Sequence, residues 1–403
     1  MDTFAFIIHP IDPKRDVSRK FPLLGRVLNE KQVNFFSTYF PPIYLSEIEG
    51  ITSASTGKVI KGWLIACPLT SERMMGLSEG TVYRKIIQTG RMAERLGAMI
   101  LGLGAYTSVV GDGGLTISRS LQIPVTTGDS YTVYTAIQAI VEAARVMEIP
   151  LADACAAVVG ATGAIGRVCA EALASLTSEV CLIGRDARRL EEIREQIAPP
   201  AGPARVTTST HLEPLRRSQV VVTVTSSLDA IIQPDLIGPG TVICDVARPR
   251  DVSHQVASQR KDILVIDGGV VEIPGQVDFN FDFGFPPGLG YACMAETMAL
   301  ALEGRFESFT LGKELTRPRV DEIGEIAHRH GFRLSGFRSF DRPVTSEQIE
   351  KVYHASRKSP APLSLAPRAG STSPPLLPIL QLRSGQAGRE GKGETAPLSR
   401  GMR

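Results

Sequence analysis

Apolar positions recur along this chain at two periods, and the change between them divides it. Between residues 154 and 269, short β-branched runs alternate with helical stretches and turns. The runs 154–159, EVCLIGR (179–185), SQVVVTVTSS (218–227), GTVICDVA (240–247) and DILVIDGG (262–269) predict strands; 167–176 and 188–197 predict helices. Runs that are apolar throughout suit strands buried on both faces. The expected fold class is therefore α/β, with a doubly wound, mainly parallel sheet. Upstream, VIKGWLIACPL (59–69) reads as a strand. A helix is expected over 79–96, from Val82, Ile86, Ile87, Met92, Ala93 and Leu96, and LGLGAYTSVVGDGG (101–114) reads as a strand edge followed by a glycine-rich loop. A long helix is expected within 126–147, behind a polar start, from Val133, Ile137, Ile140, Val141 and Ala144. Downstream, helices are expected over 290–303, 319–330 and 346–354.

This order implies an N-terminal α/β substrate domain (1–150), a dinucleotide-binding domain (151–285) and C-terminal helices (286–355). Residues 356–403 follow, rich in Pro, Ser and Gly, and read as a disordered basic tail. Between Arg357 and Arg403 there are eight Lys or Arg against two Glu. The 43% hydrophobic content supports a real core, and a net charge of +2 points to neither nucleic acid nor an acidic membrane. No secretory-type leader and no long uncharged apolar run appears. The expectation is a cytoplasmic protein, with peripheral contact with lipid left open.

The first chemical signal is GATGAIG, Gly160 to Gly166, between a strand and a helix. Such a turn lets backbone approach a pyrophosphate without a Cβ in the way, and the helix start offers free N–H groups and a positive dipole end. Gly160, Thr162, Gly163, Ala164, Ile165 and Gly166 are thus expected at a dinucleotide. The end of the next strand chooses between cofactors. An NAD site tends to place an acidic residue there; here Arg185 comes first, with Arg188 and Arg189 close behind. Guanidinium groups suit a 2′-phosphate, so NADPH is expected, with Asp186 read as a cap of the following helix. Thr225 and Ser226, in the small polar cluster that ends the 218–227 run, are placed at the cofactor crevice.

Six cysteines are present, without zinc-type spacing or a disulfide framework, and no metal site is expected. Cys155, Cys181, Cys244 and Cys169 fall inside strands or a helix and read as small buried hydrophobes; Cys67, between a strand and a proline, is ambiguous. Cys293 differs. It lies where the Pro/Gly segment after 286 gives way to a helix, a place where the dipole would lower its pKa and make the thiolate available. Beside a hydride donor, such a thiolate would take an acyl group as a thioester, which hydride would convert to an aldehyde. Glu296, three residues on, is a candidate for proton handling or for a structural role at the helix start. Of the histidines, His328 and His330 read as helix-end residues, and neither His9 nor His211 stands out.

Seven segments in one order resemble the long-chain fatty acyl-[acyl carrier protein] reductases of cyanobacteria and their relatives: ITSASTGKVIKG (51–62), LGLGAYTSVVG (101–111), TTGDSYTVY (126–134), VVGATGAIG (158–166), LIGRDARRLEEI (182–193), VIDGGVVE (265–272) and YACMAETMALALEG (291–304). They span about residues 1–335. The cofactor domain is in turn similar, at a distance, to those of shikimate dehydrogenases and glutamyl-tRNA reductases. The resemblance implies NADPH-dependent reduction of a fatty acyl thioester, on acyl carrier protein or CoA, to a fatty aldehyde. It implies that Cys293 is the acylated nucleophile and that Gly160, Gly163 and Gly166 hold the cofactor. It places Thr107, Ser108, Ser130, Tyr131 and Tyr134 on the substrate side and suggests a partner enzyme that consumes the aldehyde. The chain departs from the family pattern at the DGG that follows TSVVG, and in its tail.

Two other readings stand beside this one. A shikimate-dehydrogenase-like oxidoreductase acting on a small hydroxy acid would need a Lys–Asp pair in the N-terminal domain, where Lys58 and Lys61 are the candidates. A non-enzymatic NADP(H)-binding protein would tolerate replacement of Cys293.

Overall fold

The computed structural model describes residues 1–197 and 204–358. The tail expected over 356–403 lies outside the described residues from position 359 on. Two six-stranded sheets carry the architecture. The second is parallel throughout, in the spatial order Leu264–Asp267, Val242–Asp245, Val220–Thr223, Cys155–Val159, Glu179–Ile183, Arg205–Ser209. That is the dinucleotide-binding order, with its topological switch between Cys155–Val159 and Val220–Thr223. These strands are buried apolar runs, which is why they were legible. Arg205–Ser209 was not expected; as an edge strand with an exposed arginine, two threonines and a serine it lacks the apolar signature. In chain order the run at 218–227 is therefore the fourth strand of this sheet rather than the third.

The first sheet has the order Gly275–Asp278, Ile43–Thr52, Val59–Ala66, Thr3–Ile8, Leu101–Leu103, Val125–Thr126. Its last four strands are parallel and its first two join antiparallel. Residues 1–150 do not complete this sheet alone, because Gly275–Asp278 returns from beyond the second sheet to pair with Ile43–Thr52. Three short helices follow the first strand: Pro13–Lys20, Pro22–Val27 and Glu30–Ser37.

Two long helices tie the halves together. Asp129–Val146 buries Tyr131, Val133, Tyr134, Ile137 and Ile140 on one side and much of its flank besides. Ala292–Glu303 buries every residue from Met294 to Leu302, as a helix apolar all round must. It crosses the first sheet where Gly102 has no side chain: a Cβ there would overlap the Thr297 hydroxyl. At its far end, Lys58 Nζ donates to the carbonyls of Ala301 (3.0 Å) and Leu302 (2.9 Å), closing the helix with a positive charge. Among the described residues, no helix is long and apolar enough to cross a membrane.

Candidate active site

The parallel strands of both sheets point their carboxyl ends at one cavity of about 850 Å³. His9 follows the strand Thr3–Ile8, Tyr106 follows Leu101–Leu103, and Thr127 follows Val125–Thr126. From the second sheet come Thr225, Arg248 and Gly268, each just past a strand end. Ligands of such sheets bind in this crevice, because side chains and loop N–H groups converge there while the strands hold them rigidly. The Tyr106 hydroxyl donates to the Ser226 carbonyl at 3.1 Å, so a group from the first sheet spans to the second.

The glycine turn sits at the switch point. Gly160 has φ +86°, and a Cβ on it would lie 2.6 Å from the Val224 carbonyl oxygen. A Cβ on Gly166 would overlap the carbonyl of Gly160. Both glycines are therefore required by the chain itself. Gly163 is not: it is exposed, and the nearest atom to an added Cβ is the Gly160 oxygen at 3.3 Å. A glycine that the protein does not need sterically, at the cap of the helix Ala164–Ala174, fits the close approach of a pyrophosphate. Ile165 carries the turn onto the cavity wall. Thr162 packs under Gly184, which puts the turn beside the end of the second strand.

Arg185 and Arg188 are exposed at that end and do not line the cavity. Arg188 pairs with Glu192 at 3.2 Å. Asp186 caps the next helix by accepting from the Arg189 N–H at 3.0 Å. Thr225 and Ser226 do reach the cavity. Asp251 holds Thr225 firmly, accepting from its N–H at 2.9 Å and its hydroxyl at 2.5 Å.

Cys293 is half-buried on the cavity wall, in the first turn of Ala292–Glu303. The local argument for a lowered pKa fails in the folded chain. Burial, then the neighbouring Asp129 and Glu296 carboxyls, push the thiol up to about 12, against the N–H groups of Met294 and of Cys293 itself. Two helix starts meet here. Gly128, with φ +77°, precedes Asp129–Val146 and lies so close that a Cβ on it would overlap the Cys293 backbone.

Of its two expected roles, Glu296 takes the structural one. It is fully buried and absent from the cavity wall. It accepts from the hydroxyls of Thr126 (2.5 Å) and Thr310 (2.8 Å) and from the Tyr131 N–H (2.9 Å). Burial raises its pKa, and these bonds oppose the rise. It clamps the 126–131 turn to the cysteine helix, a structural task rather than a reacting one. Of the expected polar substrate-side residues, only Ser108 reaches the cavity. Tyr131 and Tyr134 stack in the core, Thr107 bonds the Gly104 carbonyl, and Ser130 pairs with Thr310.

Three cavity residues had been passed over. Asp129 lies next to Gly128, and burial, with the Glu296 charge behind it, raises its carboxyl to about 7. TTGD reads as a polar helix start and as part of a resembling segment, with no role for Asp129; the glycine before the aspartate, which takes the cap position itself, is the signal the sequence offers. His9 is neutral, its pKa lowered to about 4 by burial. Its Nε2 accepts from the Tyr106 N–H at 3.1 Å, and Nδ1 faces the Pro10 carbonyl at 3.2 Å. Arg248 bonds carbonyls through Nη1; its buried Nε and Nη2 have no hydrogen-bond partner, and Nη2 lies 3.8 Å from the Asp267 carboxylate.

Comparison with known proteins follows the same lines. The profile of the Shikimate / quinate 5-dehydrogenase family matches residues 142–267, which take in every strand of the second sheet. The Long-chain acyl-[acyl-carrier-protein] reductase of Synechococcus elongatus is 29% identical over 347 residues, covering 82% of this chain and 98% of that protein. This chain is homologous to that reductase. The chain is also 31% identical over 379 residues to Aminotransferase PigE of a Serratia species, covering 91% of itself but 44% of PigE, so it spans less than half of that relative. Among solved structures, L-tryptophan dehydrogenase from Nostoc punctiforme aligns over 89% of both chains, at 14% identity and a TM-score of 0.38. The homology and the shikimate dehydrogenase-like domain support an oxidoreductase of the dehydrogenase/reductase kind that uses a nicotinamide cofactor.

Proposed function

We propose that this protein reduces a long-chain acyl thioester to an aldehyde with NADPH, holding the acyl group on Cys293. The observation that carries the reading is the shared cavity: Cys293 and the dinucleotide-side residues Ile165, Thr225 and Ser226 line the same space. That cavity is lined mostly by apolar side chains, among them Phe6, Leu24, Leu28, Val33 and Leu45, which suits a hydrocarbon tail. The homologous Synechococcus reductase acts, by its name, on long-chain acyl groups carried by acyl carrier protein.

The residues present fit the cofactor. Gly160, Gly163 and Gly166 would hold its pyrophosphate, and Arg185, which makes no ion pair among the described residues, would hold the 2′-phosphate. Bound NADPH supplies a hydride.

The chain's own part begins with a proton. His9 has both ring nitrogens occupied, and Glu296 has donors on both carboxylate oxygens. Asp16, also on the cavity wall, accepts the Ile11 and Asp12 N–H groups and pairs with Arg19. Asp129, which also interacts with the Thr127 hydroxyl, is the carboxyl whose charge bears most on Cys293, and its raised pKa suits exchange near neutral pH. Asp129 takes the Cys293 proton, and the Sγ thiolate attacks the substrate carbonyl carbon. The carbon–sulfur bond to the carrier breaks, and the departing carrier thiolate takes the proton from Asp129. When the aldehyde later leaves, Cys293 Sγ departs as thiolate, and Asp129, reprotonated from water, returns a proton to it. The N–H groups at the two helix starts supply donors for the carbonyl oxygen during attack.

The small hydroxy-acid reading is not favoured. Lys58 is spent on the end of the cysteine helix, Lys61 pairs with Glu47, and neither lines the cavity. Nor does the aminotransferase name transfer readily. Such chemistry needs a lysine amine at the cofactor, and the one lysine on the cavity wall, Lys20, donates to the Leu45 carbonyl. An aldehyde product is, however, the acceptor that an amine donor needs, so an aldehyde-consuming enzyme is a chemically natural partner.

The test is intact-mass measurement after incubation with palmitoyl-CoA or palmitoyl-acyl carrier protein without NADPH, followed by NADPH addition and aldehyde detection. An acyl adduct that is absent in Cys293→Ala and discharged by NADPH supports the reading, and the two carriers reveal which is used. No adduct and no NADPH oxidation with either carrier overturns it.

A further inference from the structure

The segment Phe21–Tyr44 is apolar on the wrong side for a protein surface. Of the fourteen large apolar side chains exposed among the described residues, eight lie in it. Leu23 is 74% exposed, Val27 78%, Phe35 53% and Tyr39 70%. The aromatic members cluster: the Phe35 ring meets Phe36 at 5.4 Å and Tyr39 at 5.6 Å. Single exposed hydrophobes need no explanation, but a cluster of this kind marks a contact surface. The helix Glu30–Ser37 that presents it is held by a full capping box between Asn29 and Gln32.

Two further observations indicate what covers it. Phe21, Phe36 and Phe40 are both exposed and part of the cavity wall, so the apolar end of the cavity opens within the patch. The stretch itself carries Arg26 and Lys31 against Glu30, and the residues just before it add further cations. Between Asp12 and Tyr44 there are six Lys or Arg against three Asp or Glu, with Lys14, Arg15, Lys20, Arg26 and Lys31 exposed. Exposed apolar and aromatic side chains on a stretch of chain with excess exposed cations match a bilayer interface with anionic headgroups. No described helix is long enough to span it, so contact is confined to one leaflet.

We propose that Phe21–Tyr44 is a membrane-docking face that seats the cavity mouth in the headgroup region of an anionic lipid surface. An apolar ligand then passes between cavity and acyl chains without crossing water. This goes beyond the reductase reading and does not depend on it, since docking needs neither Cys293 nor a cofactor.

The test is co-flotation of the full chain with vesicles of phosphatidylglycerol and phosphatidylcholine in equal parts, and with pure phosphatidylcholine. Wild-type protein is expected to float with the anionic vesicles, more weakly at high salt, and far less with pure phosphatidylcholine. Leu23→Glu/Val27→Glu and Phe35→Ser/Tyr39→Ser are expected to lower binding by about tenfold or more. Unchanged thermal midpoints would show that both variants fold. Failure of wild-type protein to float with anionic vesicles overturns the proposal, as does flotation of both folded variants at the wild-type level. A wild-type dimer in light scattering that both variants convert to monomer assigns the face to a second copy and overturns it too. Thioester reduction by a protein that does not float leaves the reductase reading standing and removes this one.

Discussion

Gly128 lies against the backbone of Cys293, the two residues bringing together the starts of the helices Asp129–Val146 and Ala292–Glu303. The contact exists because Gly128 lacks a Cβ and holds φ at +77°. Gly128→Ala must therefore push the cysteine turn aside. The acylation rate of Cys293, followed by intact mass, is expected to fall by roughly 100-fold, since displacement of a reacting group by about 1 Å has that effect. NADPH affinity, measured by fluorescence, is expected to stay the same. A wild-type acylation rate would contradict the geometry.

The glycines of the phosphate turn separate into two kinds. Gly160→Ala meets both a positive φ and the Val224 oxygen 2.6 Å away, so it is expected to cost about 1–2 kcal/mol in unfolding experiments, and NADPH binding with it. Gly163→Ala meets only a contact of 3.3 Å. Its stability is expected near wild type, with NADPH affinity reduced by about tenfold or more. Equal loss of stability in both variants would remove the distinction.

The pH dependence follows from Asp129. Its carboxyl, raised to about 7, takes a proton only when ionised, so acylation of Cys293 should rise with pH and level off above about 7. Asp129→Asn should abolish the plateau and slow acylation at pH 8 by about 100-fold or more. Stability carries the opposite sign. Between the ordinary carboxyl value of 3.8 and about 7, the folded state holds a proton that the unfolded state lacks, so this contribution to stability falls as pH rises through that window. The Asn variant should show a flatter stability profile from pH 4 to 7. A variant with the wild-type acylation profile would exclude Asp129 as the proton acceptor.

Arg185 is exposed and makes no ion pair among the described residues, so its removal disturbs no packing. Arg185→Ala is expected to weaken NADPH by about 10- to 100-fold, the worth of charge-assisted hydrogen bonds, while leaving NADH nearly unchanged. Parallel weakening of both cofactors would assign the 2′-phosphate elsewhere.

Local pattern was sufficient for much of this molecule. The runs at Cys155–Val159, Glu179–Ile183, Val220–Thr223, Val242–Asp245 and Leu264–Asp267 are apolar but for a terminal Glu179, Thr223, Asp245 or Asp267, because each is buried on both sheet faces. The helix Glu79–Leu96 shows its 3.6-residue stripe because one face is in solvent. GATGAIG declares itself because two of its glycines answer to backbone contacts within a few residues or at the adjoining strand end. Edge position hid Arg205–Ser209, and shortness hid the three helices of residues 13–37, which offer too few turns for periodicity.

Residue type and local setting were enough to select the phosphate turn, the arginines beside it and Cys293 at a helix start. Long-range packing set the roles. Tyr131 and Tyr134 went into the core because their helix is covered on several sides. Glu296 became a clamp because Thr126, 170 positions away, and Thr310 arrive at its carboxylate. The protonation of Cys293 turned on enclosure and on Asp129, more than 160 positions away along the chain. A helix start acts through neighbouring peptide groups and is written in adjacent residues. Desolvation and the charge of a distant carboxyl come from contacts that exist only once the two sheets close on one cavity.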